Sequence, residues 1–102
     1  MGYKIPTIWG DGYTFSLEPY PNKVFVHCEV TDTKPSVVKE MLRKWKAFKS
    51  AASLDLYALH CDAKNKPTHK HFLKMFGFKY MNTVTAKNGA TVEVWLNRGT
   101  QE

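Results

Sequence analysis

"NKPTHKHFLKMFGFKY", residues 65–80, decides how the second half of this chain folds. Five lysines and histidines fall between Lys66 and Lys74, and the run closes on Gly77 and Phe78. Three readings compete: a basic nucleic-acid-binding helix, a histidine metal site, or a short helix docked on a sheet. Spacing separates them. At 3.6 residues per turn, His69 and His71 lie about 200° apart around a helix, so they cannot ligate one ion together. His69, Phe72, Leu73 and Phe76 share one face instead. The stretch predicts a loop or cap over Asn65 to Thr68, about two helical turns from His69 to Phe76, and a stop at Gly77.

Downstream, "KYMNTVTA" and "TVEVWLN" flank a turn at Asn88 and Gly89, a hairpin signal. Upstream, "LDLYALHC" (54–61) is a near-continuous apolar strand, as expected where helices cover at least one face. Before it, "TDTKPSVVKEMLRKWKAFKSAAS" (31–53) has helical period. Val38, Met41, Leu42, Trp45, Phe48 and Ala52 form an apolar stripe, while Lys39, Arg43, Lys46 and Lys49 take the other face. Asp32 or Thr33 suits the N-cap and Pro35 the first turn. The first thirty residues read as three strands. "TIWGDG" gives a short strand and turn, Tyr13, Phe15 and Leu17 alternate with Thr14 and Ser16, and "EPYPN" is a turn. "KVFVHCEV" then sets Val24, Val26, Cys28 and Val30 on one face, with Phe25, His27 and Glu29 on the other.

The predicted class is α+β: a mixed, mainly antiparallel sheet in the order β-β-β-α-β-α-β-β. One parallel strand pair is joined by the first helix through a right-handed crossover. A chain of 102 residues, 43% hydrophobic, is read as a single domain over 1–102. No apolar run approaches a membrane span and the start lacks a signal-peptide core, so a soluble intracellular protein without membrane contact is expected.

Cys28 and Cys61 each follow a histidine. On adjacent strands Cys28 could meet Cys61, or His27 meet His60, but alternation leaves two ligands per face where zinc wants three or four. No metal site is expected, and the cysteines read as small buried side chains. No serine sits in a nucleophile-elbow motif. Charge is uneven: of the 15 Lys and Arg, eleven lie between Lys34 and Lys79, against Glu40, Asp55 and Asp62. That field suits phosphates, and nucleic acid is one partner the basic helix faces would fit.

The ending β-α-β-β, with Asn65, His69, Phe72, Leu73, Gly77 and Phe78 on or beside its helix, resembles the last third of the GNAT (Gcn5-related) N-acetyltransferases. Counted back from Gly77, Lys66 takes the family's asparagine position and Asn65 falls one residue early. The "H-x-x-F-L-K" wording resembles short GNAT-like proteins of tailed phages, including internal virion and assembly-associated ones. The resemblance in element order spans residues 13 to 97; the local motif spans 65 to 78.

If the resemblance holds, the strands at 23–30 and 54–61 splay to admit the pantetheine arm of acetyl-CoA. The resemblance then implies Glu29 as the catalytic base, and Val30, Lys34, Ser36, Val37, Lys39 and Asn65 as cofactor-binding residues, the pyrophosphate lying over the start of the first helix. Three departures stand against transfer. "EVTDTKPSVV" lacks the family's phosphate-loop glycines, Leu73 stands where the family keeps a proton-donating tyrosine, and the N-terminal part of the usual fold is missing. The expectation is a degenerate, non-catalytic, phage-encoded GNAT-like protein without cofactor. It would act by binding a virion or host protein, or itself, in the host cytoplasm or the virion. Trp9, Tyr20 and Tyr57 are its candidate contact aromatics. The alternative is a minimal acetyl-CoA-dependent N-acetyltransferase.

Overall fold

The computed structural model describes residues 3–62 and 64–99. Its elements are β1 (Ile5–Gly10), β2 (Tyr13–Pro19), β3 (Val24–Val30), α1 (Pro35–Ala52), β4 (Leu56–His60), α2 (Thr68–Met75), β5 (Lys79–Thr85) and β6 (Thr91–Asn97). They form an α+β fold with one mixed six-stranded sheet in the order β1-β2-β3-β4-β6-β5. Every neighbouring pair is antiparallel except β3 and β4.

Local chemistry sets the turns. Gly12, at φ +90°, closes the β1–β2 hairpin, and a Cβ there would come within 2.6 Å of the Asp32 Cβ. Pro19 ends β2 inside the ladder, opposite Val24, rather than in the turn; a proline is tolerated at a strand end because one missing N–H there breaks no continuing ladder. Helix α1 starts with Pro35 in its first turn, as the sequence predicts, but Lys34 rather than Asp32 or Thr33 is the N-cap residue. Asp32 acts one step earlier, its carboxylate accepting the Lys34 N–H at 3.0 Å. The helix ends at Ser53, a non-glycine residue in the left-handed region (φ 53°) whose N–H reaches the Lys49 carbonyl.

Both helices lie on one face of the sheet. Met41 and Trp45 of α1, and Leu73 of α2 with Phe76 just beyond it, bury themselves against Ile8, Tyr13, Phe15, Leu56, Ala58 and Trp95. Trp45 sits at the centre. It stacks on Phe15 (5.3 Å between centroids) and on Phe78 (5.8 Å), and its Nε1–H donates to the Phe76 carbonyl at 2.9 Å. Asn97 Nδ2 donates to the same carbonyl at 2.8 Å. That oxygen lies at the C-terminal end of α2, where carbonyls have no helical partner. Side chains from α1 and β6 therefore hold the end of α2, and Gly77 (φ +92°) turns the chain into β5. Among the described residues, the opposite face of the sheet carries no helix.

Candidate functional site, a split between two parallel strands

β3 follows strict alternation, so Val26, Cys28 and Val30 face the helices. β4 is apolar at nearly every position, and the core settles its facing: Leu56, Ala58 and His60 are buried beneath the helices. Cys28 therefore shares a face with His60. The sequence pairing of Cys28 with Cys61, or His27 with His60, puts these side chains on opposite faces. The two strands are in register at one pair only, Phe25 and Tyr57, whereas β2 and β3 pair over seven positions. Beyond that pair the strands leave a split with a cavity on each face. The inner cavity, about 100 Å³, lies under α2 between Val26, Cys28, Val30, Ala58, Phe72 and Leu73. The outer one, about 210 Å³, is edged by Lys4, His27, Glu29, Leu59 and Asn65. Cys28 and His69 line both, so the cavities meet at the split.

A string of three polar side chains ends there. His60, 1% exposed, holds the Asp62 carboxylate with Nε2 at 2.7 Å, and its Nδ1 lies 2.8 Å from Nδ1 of His69. Only one proton fits between two facing ring nitrogens. With Asp62 accepting from Nε2–H, His60 Nδ1 is the acceptor and His69 Nδ1–H the donor, an assignment that follows from the hydrogen-bond network. His69 Nε2 then carries the lone pair. It has no hydrogen-bond partner among the described residues, and no buried side-chain nitrogen or oxygen there goes unpaired, so Nε2 is open to the cavities. Burial, and secondarily the neighbouring His60, hold the His69 pKa below its ordinary 6.5, which keeps this nitrogen a free base at neutral pH. The hydrogen bond from His60, then the charge of Lys70, lower the Asp62 pKa. The string can therefore accept one proton at the cleft without breaking either internal bond.

Cys28 is no activated nucleophile. The residue is exposed, yet its sulfur lies in the split, where burial and then the Glu29 charge push the thiol up to about 12. A nucleophilic thiol needs the opposite shift. Among the described residues no group of three or more His, Cys, Asp and Glu is placed to hold a metal ion.

The residues singled out in the sequence divide into two places. Glu29 and Asn65 line the outer cavity and Val30 the inner one. Lys34 is the N-cap of α1 and Ser36, Val37 and Lys39 lie on its first turns; none of the four lines either cavity. The helix start is engaged by the chain itself: Lys34 pairs with Asp32 at 3.7 Å and its N–H binds that carboxylate. Its carbonyl takes the N–H groups of Val37 and Val38. Pro35 has no N–H, so Ser36 alone keeps a first-turn N–H without a partner among the described residues. Asn65 is held by the Cys61 backbone, its Oδ1 accepting the Cys61 N–H at 2.9 Å. The sequence reading missed the His60–His69 pair. The available signal was that β4 ends at His60 and α2 begins at Thr68, so a short connection returns one end to the other.

A larger groove, about 780 Å³, lies elsewhere, between the C-terminal ends of the helices and lined by Lys46, Lys49 and Lys79. Lys49 is bound there to the carbonyls of Leu54 and Arg98, which neutralises helix-end and loop oxygens. This is a structural clamp.

Among the described residues no helix is long and apolar enough to cross a membrane. Compared with protein-family models, with curated proteins and with solved structures, the chain matches none.

Proposed function

We propose that this chain is a GNAT-like scaffold that acts by binding a protein rather than by transferring an acetyl group. On this reading it is a phage-encoded protein of virion assembly or of host targeting. The observation that carries it is the start of α1. Where the resembling family seats a pyrophosphate, this chain places its own Asp32 carboxylate against the Lys34 N–H and follows it with a proline. A fixed negative charge and a missing donor oppose a diphosphate at a helix N-terminus, the position where free N–H groups would otherwise favour it. The working surface is the sheet face without helices, where Trp9 and Tyr20 are exposed and Phe25 packs between Tyr20 and Tyr57. These are the contact aromatics the sequence suggested, joined by one it did not.

The minimal acetyl-CoA-dependent N-acetyltransferase remains as a second reading because of one observation, the split between β3 and β4. It brings Glu29 and Asn65 to the same cavity as His69, whose open Nε2 suits a general base better than an exposed carboxylate does. Calorimetric titration with acetyl-CoA separates the two. No heat at millimolar ligand is the outcome expected of the binding scaffold. Micromolar affinity would overturn it in favour of transfer.

A further inference from the structure

The cations of α1 sort into two groups. Lys34 is paired with Asp32, Lys44 with Glu40 at 3.3 Å, and Lys49 with backbone carbonyls. Lys39, Arg43 and Lys46 form no ion pair among the described residues. With Ser36 and Ser50 these three make one exposed stripe, at intervals of three and four residues, along the helix surface facing away from the sheet. The stripe has no carboxylate. Glu40, the only acid in the helix, is turned aside to accept the Tyr13 hydroxyl at 2.7 Å and to pair with Lys44. A helix face shaped only for solubility interleaves both signs at i and i+4. This face has one sign.

The remaining chemistry narrows the partner. A lipid surface needs an apolar face beside the charges, and that of α1 is committed to the core: none of the exposed large hydrophobic side chains is on this helix. The three cations instead follow one another by about 6 Å and about 4.5 Å along the axis. Long flexible side chains at that spacing can reach successive charges of a linear polyanion. We propose that the outward stripe of α1 docks on the phosphate backbone of nucleic acid, without reading sequence. The protein-binding surface proposed above lies on the opposite side of the sheet, so the two contacts are independent.

Fluorescence anisotropy with a mixed-sequence 20-base-pair DNA duplex, and with a single strand of equal length, tests this on the intact chain. Three phosphate contacts predict a slope of about −2.7 in log affinity against log salt for the duplex, or about forty-fold weaker binding at 200 mM than at 50 mM salt. K39Q/R43Q/K46Q should remove binding and leave the circular dichroism spectrum unchanged. An equal loss of charge elsewhere, K64Q/K66Q/K87Q, should keep at least half of the salt slope. Tighter binding of either DNA form with that slope supports the proposal and identifies the form preferred. A slope near zero, a stripe variant that binds like the parent, or equal competition by polyglutamate would overturn it.

Discussion

The Phe76 carbonyl gives the most quantitative test of how α2, and with it His69, is held in place. It accepts from Trp45 Nε1 and from Asn97 Nδ2, both buried. Asn97→Ala removes one bond and a few buried atoms, at a cost of about 1–2 kcal/mol. Trp45→Phe removes the other and thins the ring wedged between Phe15 and Phe78, at about 1–3 kcal/mol. Each single variant leaves the carbonyl with one donor. The double variant leaves a buried oxygen with none, which adds roughly 1–3 kcal/mol that neither single variant shows. Urea unfolding followed by far-ultraviolet circular dichroism, with the slope m held constant, measures all four corners of the cycle. The double variant should be less stable than the sum of the singles by more than about 1 kcal/mol. Additivity within about 0.5 kcal/mol would show that the carbonyl finds another partner, and would refute the view of it as a joint with two donors.

Three further outcomes are expected. Because the His69 pKa is lowered in the folded protein, the unfolded chain binds the proton more readily; stability is full above about pH 6.5 and falls as pH drops below it, and His69→Gln should flatten urea midpoints between pH 6.5 and 5. Ser53→Gly should raise stability by about 0.5–1 kcal/mol, since only the native residue bears the left-handed penalty at φ 53°, and a lower melting temperature would contradict this. Gly12→Ala should cost at least about 2 kcal/mol, measured in urea, because it combines a positive φ with a Cβ pressed on Asp32.

What the sequence reveals follows from how strongly each segment alternates. Tyr13, Phe15 and Leu17 against Thr14 and Ser16 specify β2 and its facing without help. Met41 and Trp45 specify the buried stripe of α1 in the same way, and Gly77 and Gly89 mark turns that require positive φ. β4 is different. Leu56, Tyr57, Ala58 and Leu59 are all apolar, so period-2 reasoning cannot say which parity meets the helices. The choice belongs to the assembled core, and it places His60 rather than Cys61 beneath α2. The candidate site hangs on that parity, and its central contact crosses from β4 to α2, which no local pattern encodes. The insertion of β6 between β4 and β5 is hidden for a related reason: a hairpin signal fixes pairing but not which arm joins the rest of the sheet.

The single registered pair between β3 and β4 also bears on how the molecule holds together over time. It divides the sheet into two three-stranded ladders, β1-β2-β3 and β4-β6-β5, each built from antiparallel partners. Between them the backbone contributes little; the bond is made by side chains, chiefly Trp45 reaching Phe15 on one side and Phe78 on the other. Regions with few cross-links open at lower free energy than the units they connect. Phe15 on Phe76 and Phe25 on Tyr57 add to that stack, so side chains carry the seam, and opening along it is expected to cost less than unravelling either ladder.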